Sequence, residues 1–135
     1  MIPMDWKYPE PVLAERNRVA QTGSLRERIR FDLEGRCAYA WGLLTACDAA
    51  RVFNIDRITA IEFGVAHGDG LIELDRLAGL VSKETGIGID VFGFDNAEGL
   101  PAPDSYRDHP ELWTEGDFAM GDPARSVRSY RKARS

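Results

Sequence analysis

The fold of this chain is decided by residues 58–70, which read ITAIEFGVAHGDG. The first half of this stretch is rich in β-branched and apolar residues, which suit a buried strand. The second half is a loop with glycines at positions 64, 68 and 70, and Leu71 then opens a helical pattern. A strand, a glycine loop and a helix in this order bring backbone N–H groups close to an anionic or polar ligand. We therefore predict a nucleotide-like ligand at the carboxyl end of the strand Ile58–Val65.

The spacing of the small residues distinguishes between ligand classes. The dinucleotide fingerprint requires glycine at the first, third and sixth positions of the turn. Counted from Gly64, the third position is Ala66 and the sixth is Asp69, so that fingerprint fails twice. The stretch instead fits the pattern acidic-x-Gly-x-small-x-Gly, beginning at Glu62 and ending at Gly68. The loop by itself leaves a ligand site and a purely structural turn equally open.

A second strand follows the helix that the glycine loop opens. Apolar residues from Leu71 to Val81 form one helical face, Gly86 ends the helix, and Ile87–Phe94 is typical of a strand. A strand–helix–strand unit of this length predicts parallel strands joined by a right-handed crossover. Asp95 ends the second strand, where an acid commonly binds a ribose. An aspartate at a strand end can equally cap the following turn.

The N-terminal third is predicted to be an arm followed by one long helix. Residues 1–23 are rich in proline and aromatic residues, with a possible short helix over 12–21. Ser24 and Glu27 form a capping-box pattern. Apolar residues at 29, 33, 37, 40, 44 and 47 then recur every three or four positions. This stripe predicts an unbroken helix from residue 25 to 52 or 54.

Composition and charge limit the classes of function. At 135 residues the chain is one domain at most, and no apolar run approaches the ~20 residues of a membrane span. The start of the sequence lacks the features of a signal peptide, so we expect a cytoplasmic protein with no membrane partner. All 22 acidic residues but only 12 of the 17 basic ones precede Arg125, so residues 1–124 carry net −10. That acidic body argues against nucleic acid as a partner.

Four short motifs follow one another along the chain, beginning at the end of the first strand. The sequence reads EFGV at 62–65, GFD at 93–95, EGLP at 98–101 and WTEGDF at 113–118. In this order the motifs resemble those of class I S-adenosylmethionine (SAM)-dependent methyltransferases. Within that class they are similar to the macrocin-type O-methyltransferases, which act on sugars and other hydroxylated natural products. The resemblance covers roughly residues 36–122.

The resemblance implies an α/β fold of the Rossmann-like class I methyltransferase type. This chain would hold its N-terminal portion, a long N-terminal helix plus one βαβ unit, in a truncated form. We expect an arm and long helix over 1–57, a partial SAM-binding βαβ unit with a long loop over 58–124, and a basic, disordered tail over 125–135. A sheet of two strands would leave unpaired edges through which copies could self-associate.

SAM is the cofactor that the resemblance implies. The strand end and the loop would line its methionine part, and Asp95 would hold its ribose. A neutral His67 imidazole could hydrogen-bond the cofactor carboxylate, although a solvent-facing histidine without a role fits equally well. The expected cofactor-binding residues are Glu62, Gly64, Ala66, His67, Gly68 and Asp95.

The sequence thus predicts a methyltransferase that uses SAM and a hydroxylated small-molecule acceptor, with little or no activity in this form. No catalytic base can be identified, and no metal site is expected, because Asp104, Asp108 and His109 lack a fixed spacing and are typical of a solvated turn. Two alternatives stay open. One is a nicotinamide-dependent oxidoreductase, against which Ala66 and Glu62 argue, and the other is a non-enzymatic interaction module organised by the long helix.

Overall fold

Four α-helices and two strands make up residues 9–121, the part of the chain that the computed structural model describes. The predicted tail, 125–135, and the first eight residues of the predicted arm lie outside that range. The elements are α1 (Glu10–Thr22), α2 (Leu25–Arg30), α3 (Cys37–Val52), β1 (Arg57–Phe63), α4 (Asp69–Thr85) and β2 (Gly88–Phe94), with a 3-10 turn at Tyr106–Asp108.

The predicted strand–helix–strand unit is confirmed. Strands β1 and β2 are parallel and pair in register from Arg57 opposite Gly88 to Phe63 opposite Phe94. Helix α4 connects them and ends at Gly86, whose φ of 78° is the left-handed conformation that a side chain would disfavour. Strand β1 stops at Phe63, two residues before the predicted end, because Gly64 also turns left-handed with φ 79°. The chain is therefore a mixed α/β protein.

The core lies between one face of this sheet and helices α3 and α4. Strand residues Ile58, Ala60, Ile89 and Val91 pack against it. Leu77 of α4 is fully buried at its centre. The other buried members of the cluster are Ile29, Ala40, Leu43, Leu44, Cys47, Ala50, Leu74, Ala78, Val81 and Ile87.

The prediction of one unbroken helix from residue 25 is wrong. Helix α2 ends at Arg30, and α3 begins only at Cys37. Asp32 takes the left-handed conformation, with φ 53°, and its N–H donates to the carbonyl of Ile29. The N–H of Leu33 donates to the carbonyl of Arg28, which completes a Schellman ending. Aspartate is one of the few residues besides glycine that tolerate this conformation, so a helix ends here without a glycine.

A charged side chain fixes the turn between α2 and α3. The Glu34 carboxylate is 7% exposed and accepts hydrogen bonds from Arg28 Nε at 2.7 Å and Arg76 Nη2 at 2.9 Å. A carboxylate this buried is stable only when it is paired, and both partners come from neighbouring helices. The apolar residues on both sides of this turn are therefore buried in the same core, although they belong to two separate helices.

The opposite face of the sheet is covered by no helix of the described segment. Ile61, Phe63, Phe92 and Phe94 lie on it with 48–78% of each side chain exposed. The Phe63 and Phe94 rings stack with their centroids 5.6 Å apart. Parallel sheets are usually covered on both faces, so this face is unusual. None of the helices within residues 9–121 has the length and apolar character to cross a membrane.

We predict that Leu77→Ala lowers the free energy of unfolding by about 2–5 kcal/mol, because it leaves a cavity at the centre of the core. Urea unfolding followed by circular dichroism measures the change. Leu80→Ala is the matched control, since Leu80 lies on the same helix with 36% of its side chain exposed. A loss for Leu80→Ala as large as that for Leu77→Ala would contradict this position of the core.

Candidate functional site

The glycine loop between β1 and α4 is built from residues in left-handed conformations. Gly64, Ala66 and Gly68 have φ angles of 79°, 47° and 91°. Such angles suit glycine but strain alanine, so the conformation of Ala66 requires support from its surroundings. Gly68 precedes the first turn of α4 and offers no side chain to cap it. The N-terminal N–H groups of α4 consequently face the loop without a side-chain acceptor from the N-cap.

Asp95 supplies the support that Ala66 needs. Because Phe63 and Phe94 are paired, the residues that follow them emerge side by side from the sheet. Asp95 Oδ2 accepts a hydrogen bond from the Ala66 N–H at 2.9 Å, and Oδ1 accepts one from the Ala97 N–H at 2.6 Å. Asp95 therefore caps its own turn, one of the two roles considered from the sequence, and also reaches the glycine loop.

Hydrogen bonds to the exposed Asp95 carboxyl group make it more acidic. The bond from the Ala66 N–H, then that from Ala97, stabilises the ionised form and lowers the pKa of Asp95. A carboxylate has about four lone-pair positions, so the two bonds leave acceptor capacity for a ligand. Asp95 is thus a charged acceptor, fixed in direction, at the edge of the sheet.

A cleft of about 840 Å³ opens at this edge, where the carboxyl ends of both strands meet. Ligands of open α/β sheets bind at this edge. The polar side of the cleft is formed by Asp95 and Asn96, with the backbone of Gly64 and Ala66. Its remaining lining is largely apolar and comes from Phe63, Phe94, Gly99, Leu100, Pro101 and Phe118. The volume and this mixture of groups are typical of small-molecule sites.

The apolar wall is held by the two later sequence motifs, which pair with each other. The Leu100 N–H donates to the Asp117 carbonyl at 2.8 Å, and the Gly116 N–H donates to the Leu100 carbonyl at 2.9 Å. Phe118 packs against Trp113 with ring centroids 5.3 Å apart. The long loop is therefore an ordered structure that closes on itself beside the cleft.

The expected cofactor residues do not all meet in this cleft. Gly64, Ala66 and Asp95 line it, whereas His67 is exposed and Gly68 is buried at the start of α4. Glu62 points to the helix side of the sheet, where Oε1 accepts a hydrogen bond from the Tyr39 hydroxyl at 2.8 Å.

No sequence pattern assigned a role in the site to the apolar lining or to Tyr39. Phe63 and Phe94 lie inside the quoted EFGV and GFD motifs but were interpreted as strand residues, although their places at the two strand ends also indicate a site. Leu100, Pro101 and Phe118 lie inside the quoted motifs but were assigned no role. Tyr39 carries no local signal, because its partner lies 23 positions further along the chain.

Acidic residues of the long loop have structural partners. Asp108 Oδ2 accepts hydrogen bonds from the N–H groups of Asp104 and Ser105, and His109 Nδ1 lies 2.9 Å from Glu111 Oε1. In the part of the chain that the structure describes, no three His, Cys, Asp or Glu side chains converge as a metal site would require.

Comparison of this chain with protein-family models, with curated proteins and with solved structures found no match.

We predict that Gly70→Ala leaves the protein less stable than Gly79→Ala, because a Cβ at position 70 would overlap Glu62 Oε1 and displace it from the Tyr39 hydroxyl. Gly79→Ala, on the same helix, is the control. A Cβ there meets no described atom within 4 Å, so the change should stabilise α4 by about 0.5–1 kcal/mol. Thermal unfolding of both variants measures the effects. Equal stabilities would show that the Glu62 carboxylate does not pack on α4.

We predict that Asp95 titrates below its ordinary value of 3.8 in the native protein. A carboxyl whose pKa is lowered on folding adds stability above its unfolded pKa. That contribution is lost as the pH falls from about 3.8 through the native midpoint. Carbon-13 NMR of the Asp95 carboxyl measures this midpoint, with a peptide of residues 92–98 as the control. The same midpoint in protein and peptide would contradict the bonds to Ala66 and Ala97.

Proposed function

We propose that this chain binds SAM in the cleft beside Asp95 and is the cofactor-binding part of a macrocin-type O-methyltransferase with a Rossmann-like fold. The observation that carries the proposal is the 2.9 Å hydrogen bond between Asp95 Oδ2 and the Ala66 N–H. It joins the acid of the second strand to the glycine loop of the first. These two features are the ones that a nucleoside with a charged tail requires side by side.

Asp95 would accept hydrogen bonds from the ribose hydroxyls. The carboxylate is exposed at the cleft and keeps acceptor capacity beyond its bonds to Ala66 and Ala97. Those bonds fix its orientation, so little side-chain freedom is lost when a ligand binds. The apolar residues Phe94, Leu100 and Phe118 of the same cleft would cover the adenine ring.

The start of α4 would bind the methionine carboxylate. The first N–H groups of a helix lack intrahelical acceptors, and the helix dipole favours a negative charge beside them. Gly64 and Gly68 allow the ligand to approach the main chain closely. His67 is exposed next to these groups and is a further donor for the carboxylate.

The acceptor class follows from the motif resemblance. SAM supplies a methyl group on a positively charged sulfur, and its transfer needs an acceptor oxygen held in line with that bond. We assign the acceptor as a hydroxyl group of a small molecule.

Calorimetry with S-adenosylhomocysteine, the product form of the cofactor, tests the proposal. We expect the unaltered chain to bind it and to bind NADH more weakly. Asp95→Asn should weaken this binding by about 10–100-fold. The amide nitrogen of asparagine cannot accept a hydrogen bond from a ribose hydroxyl, and the substitution also removes the charge that strengthens such a bond.

Asp104→Asn is the matched control, since Asp104 is an exposed aspartate of the long loop outside the cleft lining. It should leave the affinity unchanged. The absence of S-adenosylhomocysteine binding, tighter binding of NADH, or equal affinities for the Asp95 and Asp104 variants would each overturn the proposal.

A further inference from the structure

Tyr39 and Glu62 form a pair that links helix α3 to the strand end below the glycine loop. The Tyr39 hydroxyl donates to Glu62 Oε1 at 2.8 Å, and both side chains are half-buried. The bond to Glu62, together with burial, raises the pKa of Tyr39, so its hydroxyl stays protonated as a donor at neutral pH. The Glu62 carboxylate therefore has one oxygen held in a defined direction.

The other oxygen of Glu62 is unpaired. Oε2 is shielded from solvent and finds no hydrogen-bond partner within residues 9–121. No lysine, arginine or histidine of that range forms an ion pair with Glu62; Arg36, the nearby cation, lies over the Tyr39 ring at 5.4 Å. An unpaired carboxylate oxygen is costly to bury, and a ligand that placed a positive charge beside it would offset that cost.

The position of Glu62 indicates which part of a ligand its charge would act on. The carboxylate packs against the Cα of Gly70 in the first turn of α4, beside the N–H groups assigned above to the methionine carboxylate. An amino acid carries its ammonium group on the atom next to its carboxylate. A ligand tail bound at α4 thus brings a positive charge close to Glu62.

We propose that Tyr39 is a positioning residue that holds the Glu62 carboxylate toward the ammonium group of the bound cofactor. The Tyr39–Glu62 pair then makes the site selective for an adenosine ligand with an amino-acid tail. This inference rests on the proposed SAM site and adds a residue outside the sequence motifs. Tyr39 acts through Glu62 and contacts no part of the ligand itself.

A comparison of two ligands tests this role. S-adenosylhomocysteine has the amino-acid tail, and 5′-methylthioadenosine has the same nucleoside and sulfur without it. Tyr39→Phe should weaken binding of S-adenosylhomocysteine about tenfold and leave 5′-methylthioadenosine unchanged, because only the first carries the ammonium group. Tyr106→Phe is the control, since Tyr106 is 78% exposed.

Glu62→Gln keeps the size of the side chain and an acceptor for Tyr39 but removes the charge. It should show the same selective loss, and the double variant should lose no more than Glu62→Gln alone, because Tyr39 acts through that charge. Circular dichroism of each variant verifies that the fold is retained.

Equal losses for both ligands, no loss for Tyr39→Phe, or independent effects of the two substitutions would overturn the role of Tyr39. In those cases the unaltered chain still binds S-adenosylhomocysteine and the SAM site stands. If the unaltered chain binds neither ligand, the proposed function itself fails.

Discussion

The hydrogen bond from the Ala66 N–H to Asp95 connects the two halves of the βαβ unit at the edge of the sheet where the proposed cofactor site lies. Ala66 has a left-handed backbone conformation that strains alanine, and Asp95 is the acceptor that stabilises it. The parallel register makes this contact possible, because it brings the ends of both strands to the same level. Without this bond the glycine loop would lose the acceptor that supports Ala66, and Asp95 would be held only by Ala97.

The sheet has two different faces, one buried in the core and one open. Its helix side holds the core and the half-buried pair of Tyr39 and Glu62. Its other side carries Ile61, Phe63, Phe92 and Phe94 in exposed positions. The two phenylalanines at the strand ends belong to that open face and also line the cleft. The open face and the proposed ligand site therefore share these two residues, and a ligand in the cleft would cover part of their apolar surface.

Local patterns predicted the elements well where short-range interactions decide them. The capping box at Ser24, the glycine end of α4 and the two strands agree with the structure. The prediction of one long helix was wrong because the spacing of apolar residues indicates which positions are buried, and not whether the helix is continuous. Positions 29, 33 and 37 are all at least half-buried, yet the chain turns at Asp32 and again at Arg36, both with positive φ. The paired arginines on Glu34 hold that turn, and one of them lies 42 residues away.

The sequence by itself determined the βαβ unit, the glycine loop and the acid that follows the second strand, because propensity, turn chemistry and strand alternation act over a few residues. Only the tertiary structure decided that Asp95 bonds to Ala66, that the EGLP and WTEGDF segments pair, and that Tyr39 reaches Glu62. Those contacts join residues 16 to 29 positions apart. Their geometry depends on how the helices pack on the sheet, and no local pattern contains that information.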